Sequence, residues 1–307
     1  MATTMAAPVY NSISLAEKCL PFLDDIYKRQ SLSAVLDTAS DRVNWIGAQT
    51  AKVFKIDVDG LGNYSRNAGF VPGSSDGTWE TLQIQKDRGR SFNIDVMDSE
   101  ETLGLAMAST LGEFERTQVV PELDAYRFAK YAAGAGTTVT ATLSNSDDIP
   151  ALIQTAEATL DDKEVPYEGR ILFVNPTVYG YLKNDITRYV TNDVRDVNTE
   201  VEMYDGMRII RVPSARFNTV CTLAAPTDAS STGGYTAAGV DINFMIIHPS
   251  AVLQIVKHQI PRVFSPEQNI ESDAYRINYR IYHDCWVLAN KTYGIYVHKK
   301  AAASTGA

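Results

Sequence analysis

The chain has 307 residues, of which 45% are hydrophobic. That excludes global disorder and is enough for one large domain or two to three small ones. A formal charge of −9 excludes a protein that coats nucleic acid through a basic excess.

No stretch is apolar for long enough to span a bilayer. The start, Met1 to Pro8, lacks the basic and apolar regions of a secretion signal. Cys19, Cys221 and Cys285 are widely spaced, with no metal-binding pattern. They read as reduced, mostly buried thiols of a cytosolic protein.

Residues 1–47 read as an arm. Leu15, Leu20, Leu23 and Ile26 give a short helix, Leu32 to Ala39 another helical turn, and neither carries a core of its own. Residues 48–96 read as a projecting hairpin with alternation at 82–85 and 91–96 and turn formers at 67–78. Two strands with such a tip are marginal alone, so a neighbouring subunit should support them.

Residues 99–133 give the strongest helix. Ser99 caps it, Glu100 and Glu101 favour its positive end, and Leu103, Met107, Leu111 and Phe114 recur at helical spacing. Pro121 predicts a kink or break, and Gly134 and Gly136 end the run.

Residues 137–250 read as an α/β unit. Ser146 or Asp147 caps a helix through Leu160, Arg170 to Val174 is a buried strand, and Asn175-Pro176 opens a short helix to Lys183. Asp205-Gly206 joins a hairpin, and 225–241 reads as a surface loop. From 242 to 298 strands dominate, and 273–282 alternates strictly.

A search for chemistry yields no active site. Asp57-Val58-Asp59-Gly60 has its glycine two positions early for a calcium loop and lacks the closing glutamate. Gly134-Ala135-Gly136 lacks the lysine of a phosphate loop. In His283-Asp284-Cys285, strand geometry puts His283 and Cys285 on one face and Asp284 on the other, with no nucleophile motif beside them. No catalytic, cofactor or metal residue is assigned. The Tyr and Arg residues of 275–282 read as an inter-strand or intersubunit face rather than a nucleic-acid stack.

Several phrases then carry a likeness. Residues 114–128, Leu172-Phe173-Val174-Asn175-Pro176, 204–213, 242–249 and 262–267 resemble, in that order, segments of the major capsid protein of tailed bacteriophages, the Hong-Kong-97-type fold. The resemblance implies an α+β chain with an N-terminal arm (1–47), an extended loop (48–96), a peripheral domain with a long spine helix (97–136 and 250–300), an axial domain (137–249) and a tail (301–307). It implies hexamers and pentamers that build an icosahedral head around double-stranded DNA, in a virion assembled in the bacterial cytoplasm. It further implies a portal, a decoration protein and a separate scaffolding protein or prior cleavage, because the chain starts almost at the arm. Candidate intersubunit residues are Asn67, Phe70, Pro72, Trp79, Arg88, Arg90, Tyr275, Arg276 and Arg280. Lys52, Lys55 and Lys86 read as solvated rather than cross-linking. The alternatives are an encapsulin-type shell and, less favoured, an α/β enzyme.

Overall fold

The computed structural model describes residues 31–37, 44–46, 50–67, 69–96, 111–190, 202–226, 232–269 and 272–302. The expected helix at 15–28 and the start of the long helix at 99–110 lie outside the described residues.

The arm segment contributes one tight helical turn, Ala34–Leu36, with Leu36 buried. Strands β1 (Asn44–Ile46), β2 (Thr50–Val58) and β3 (Ser75–Gln83) form an antiparallel sheet in which Phe54 pairs with Trp79 and Asp57 with Asp76. The alternation at 91–96 belongs to β4 (Lys86–Asp95). This strand leaves the hairpin and pairs with residues 274–283.

Residues 111–133 are continuously helical, where a kink or break was expected at Pro121. A wider π-type turn at Glu115–Val119 leads into α1 (Val120–Ala133). Proline cannot donate to the carbonyl four residues back, and its ring crowds that carbonyl. The widened turn just before the proline accommodates both effects within one continuous helical run. Helix α1 is buried nearly all round, and Phe128 meets Phe173 and Phe217 edge-on at 5.1 and 5.3 Å.

After β5 (Thr137–Thr140), α2 (Ile149–Asp161) begins. Its cap is Asp148, which accepts from the Ala151 amide at 3.1 Å. Asp147, one of two expected caps, instead closes the preceding loop by accepting from Ser144 N at 2.6 Å. Strand β6 (Ile171–Val174) is buried on both faces, and α3 (Pro176–Val190) runs beyond the expected Lys183. Strands β7 (Met203–Tyr204) and β8 (Met207–Arg211) meet at Asp205 and Gly206, whose φ values of 44° and 75° make the tight turn such a pair favours. Strand β9 (Asn218–Leu223) pairs with the first half of β10 (Tyr235–Ile247), so much of the expected 225–241 loop is strand.

Next come β11 (Val252–Gln259), β12 (Arg262–Phe264), β13 (Ala274–Val287) and β14 (Ile295–Lys299). Strand β13 is central to a four-stranded antiparallel sheet, with β11 and β12 on one edge and β4 on the other. Strand β14 departs from the 250–300 grouping and joins the seven-stranded sheet, ordered β5-β14-β10-β6-β8-β7 with β9 beside β10.

Side-chain alternation divides the core of that larger sheet. Phe173, Met245 and Val297 face α1, while Leu172, Phe244 and Tyr296 face α2 and α3. Three layers result, helix on sheet on helices, a standard way to bury both faces of a sheet.

Candidate assembly interface

The hairpin of β2 and β3 changes its apolar face along its length. At its root, Ala51 and Leu82 are buried against Leu253, with Val53, Ile255 and Trp286 packed around them. This face continues outward as Lys55, Asp57, Asp76, Thr78 and Glu80, with Lys55 and Glu80 paired at 2.8 Å. The opposite face is apolar where it should be wet. Phe54 (46% exposed), Ile56 (65%), Val58 (66%) and Trp79 (51%) line it. The Phe54 and Trp79 rings meet at 4.8 Å with their planes tilted by 51°, and the Phe54 ring lies over Gly77.

The tip is ordered by its own turns. Ser65 and Gly69 exchange backbone hydrogen bonds of 3.1 and 2.8 Å, and Ser74 N donates to Asp59 Oδ2 at 2.6 Å. Phe70 is 88% exposed, and its ring lies 4.9 Å from that of Tyr64. Asn67 and Pro72 are exposed beside it. Of the nine candidate residues, Asn67, Phe70, Pro72 and Trp79 therefore lie on the hairpin.

Arg88 and Arg90 do not, because they belong to β4. Arg88 Nε donates to Glu122 Oε1 at 2.7 Å and Nη2 to Oε2 at 3.0 Å. The same guanidinium holds the carbonyls of Ala224 and Gly234. Arg88 thus ties β4, α1 and the β9–β10 connection together inside one chain. A cavity of about 270 Å³ lies there, lined by Arg88, Arg90, Gln118, Glu122, Pro226 and His283 among others.

Tyr275, Arg276 and Arg280 lie on β13. Tyr275 packs partly into the apolar cluster under the sheet. Arg276 donates to Ser91 Oγ at 3.1 Å and Asn278 Oδ1 at 3.3 Å. Exposed Arg280 forks onto Asp87 at 2.9 and 2.5 Å, which holds the Asp87 carboxyl below its usual range. The contacts of Arg276 with Ser91 and of Arg280 with Asp87 join β13 to β4.

The His283-Asp284-Cys285 triplet is packing. Burial drives the His283 imidazole down to about 3 and the Cys285 thiol up to about 12, so both are neutral. Asp284 is also buried, and accepts from Gln85 N, Tyr126 Oη and its own neighbour Cys285 N. Cys221 is likewise pushed up by burial, to about 11. Among the described residues no three His, Cys, Asp or Glu side chains stand close enough to hold a metal ion, and no helix is long and apolar enough to cross a membrane.

Sequence reasoning missed a buried polar junction. Asp124 on α1 accepts from Ser31 Oγ, Ser33 Oγ, the amides of Leu32 and Ser33, and Arg216 Nη1. Charged residues inside a mostly apolar helical run were the available signal.

No family model matches the chain, and no curated protein matches its sequence. Solved structures do. The mature capsid of bacteriophage PhiM1 superposes with a TM-score of 0.62 at 14% identity, over 82% of each chain. A structure from Gordonia phage Cozz gives 0.61 at 15%, over 89% of this chain and 87% of that one. A virus-like particle from Pyrococcus furiosus gives 0.51 at 13%, over 92% and 98%. The chain has the fold of tailed-phage capsid proteins.

Proposed function

We propose that this chain is a major capsid protein that assembles as hexamers and pentamers into an icosahedral head enclosing double-stranded phage DNA. The observation that carries the reading is the hairpin, an ordered projection whose outer face is apolar and stays largely exposed, with Ile56 and Val58 about two-thirds open to solvent. Such a face is unstable in water as a free surface and complete as half of an interface. The fold supports the same reading, since the PhiM1 chain that it resembles comes from a mature phage capsid.

Residues 1–47 then act as the arm and the 48–96 region as the extended loop. The sheet around β13 with the long helix forms the peripheral part, and the 137–249 unit the axial part. The nine candidate residues are offered as intersubunit contacts on this basis, with Arg88 serving its own chain first. Many modest overlapping contacts give a shell avidity without one tight joint. The acidic balance keeps packaged DNA from adhering. A scaffolding protein, a portal and a decoration protein are its partners, and the virion is its location.

The test is electron microscopy of the purified chain, alone and with a candidate scaffold. Closed shells or capsomer rings are expected, and a homogeneous monomer under both conditions overturns the reading. A second reading, an encapsulin-type shell, draws on the likeness to the Pyrococcus furiosus particle. Shells that carry protein cargo and no DNA when isolated from their native source favour it.

A further inference from the structure

The hairpin has two faces of opposite chemistry, and they bear on which side a second copy approaches. On β2 and β3, cross-strand partners share a face, so register assigns each residue. Ala51, Val53, Lys55 and Asp57 share one face with Leu82, Glu80, Thr78 and Asp76. Lys52, Phe54, Ile56 and Val58 share the other with Thr81, Trp79, Gly77 and Ser75. The first face is seated on its own chain at the root and charged beyond it. The second has one charge, Lys52, and presents two aromatic and two aliphatic side chains to water.

We propose, resting on the capsid reading, that the Phe54–Trp79 face is the one a second copy of this chain covers, while Asp57, Asp76 and Thr78 on the opposite face stay in solvent. The partner copy therefore lies on the side of the hairpin away from the body that carries it.

Charge identifies the occupant. Each copy carries a formal −9, so two copies repel unless they meet where charge is sparse. The Phe54–Trp79 face offers such a place. The other face sets Asp57 directly opposite Asp76, a like-charged cross-strand pair that only water or cations relieve.

Area gives the same answer. Covering Phe54, Ile56, Val58 and Trp79 removes on the order of 500 Å² from water, short of the roughly 800 Å² per partner of a stable pairwise interface. Phe70 and Val71 at the tip bring the total close to that value. One hairpin contact alone is therefore weak, and it holds when other contacts of a closed assembly act with it.

The experiment places single cysteines at exposed positions on each face, Ile56→Cys on one and Asp76→Cys or Thr78→Cys on the other. Full-length shells and dissociated subunits are labelled with a maleimide, and mass spectrometry reads each site separately from the native cysteines. Far-UV circular dichroism confirms folding, which exposed substitutions should leave intact. The expected result is labelling of Ile56→Cys slowed about tenfold or more by assembly, with Asp76→Cys and Thr78→Cys unchanged. Shells that label equally on both faces, or that protect only the charged face, overturn the face assignment and leave the capsid reading standing. Failure of the unsubstituted chain to form shells with or without scaffold overturns the capsid reading and this proposal with it.

Discussion

Ser33 and Asp124, 91 residues apart in sequence, are joined at 2.7 Å from the serine hydroxyl to Oδ1 in a site closed to solvent. The Ser33 amide reaches the same oxygen at 3.2 Å, and Ser31 Oγ reaches it at 2.8 Å. Arg216 supplies the cation at 3.3 Å from Oδ2. Buried Arg127 donates to Ser33 Oγ at 2.9 Å and lies 3.6 Å from Asp37. One carboxylate thus fixes the arm segment to the central helix. Asp124→Ala leaves these donors and the guanidinium facing a void, and the expected loss is about 3–5 kcal/mol of folding stability. Ser33→Ala removes a smaller part, about 1–3 kcal/mol. Urea unfolding of both variants checks the order, and an unchanged midpoint for Asp124→Ala would refute the role.

Arg88 and Glu122 make the second test. Their fork is mostly shielded, with side chains 21% and 13% exposed. Lysine can meet only one prong and cannot also reach the two loop carbonyls. Arg88→Lys should cost about 1–3 kcal/mol. A double-mutant cycle of Arg88→Ala with Glu122→Ala should return a coupling energy of about 0.5–3 kcal/mol. A coupling near zero would show that the pair is geometry without energy.

How much of this could be read from the residues depends on the distance over which each interaction acts. The alternation of β13 and the buried run of β6 show directly in sequence, because side-chain period is a local property. The strand character of 91–96 is equally visible, but its partner is not. Pairing Asn93 with Arg276 spans most of the chain, and no local pattern names a partner that distant. The same blindness put Arg88 and Arg90 on the hairpin instead of the β13 sheet. Asp124 and Arg127 were passed over because charged residues on a helix normally mark its wet face, and here tertiary partners satisfy them inside. The exposed aromatic residues of the hairpin were legible as candidates, since turn formers and charges leave no core there.

Stability should depend on pH through two buried groups that act in opposite directions. Glu157 on α2 is raised to about 7 by burial, then by Asp205, with Asp161 adding to the rise and Arg170 opposing it. A carboxyl whose folded value is raised stabilises fully below its unfolded value near 4.5, and that contribution is lost as pH rises through about 7. His283 is lowered by burial, with Arg127, Arg88 and Lys86 adding to it. The contribution of this neutral imidazole is present above 6.5 and lost as pH falls toward 3. Between about 4.5 and 6.5 the two slopes oppose. Glu157→Gln removes only the first, so its stability relative to the parent should grow as pH rises from about 4.5 to 8. Denaturant unfolding at four pH values reads this, and a difference that is flat across the range would contradict it.

Two glycines should respond to alanine with opposite signs. Gly136 follows α1, and its amide donates to the Thr292 carbonyl at 2.8 Å. A Cβ placed there would stand 2.7 Å from that oxygen and 2.8 Å from Tyr293 Cα. Both obstacles are backbone, so the two segments must separate to admit the methyl. Gly136→Ala should therefore cost about 1–3 kcal/mol. Gly180 lies inside α3, and a Cβ there meets nothing within 4 Å. Its helical backbone suits alanine, which loses less chain entropy on folding. Gly180→Ala should gain about 0.5–1 kcal/mol. Thermal unfolding of the pair separates close packing from helix propensity as the reason each glycine is where it is. If both substitutions lowered the midpoint equally, the close approach at Gly136 would not be the cause.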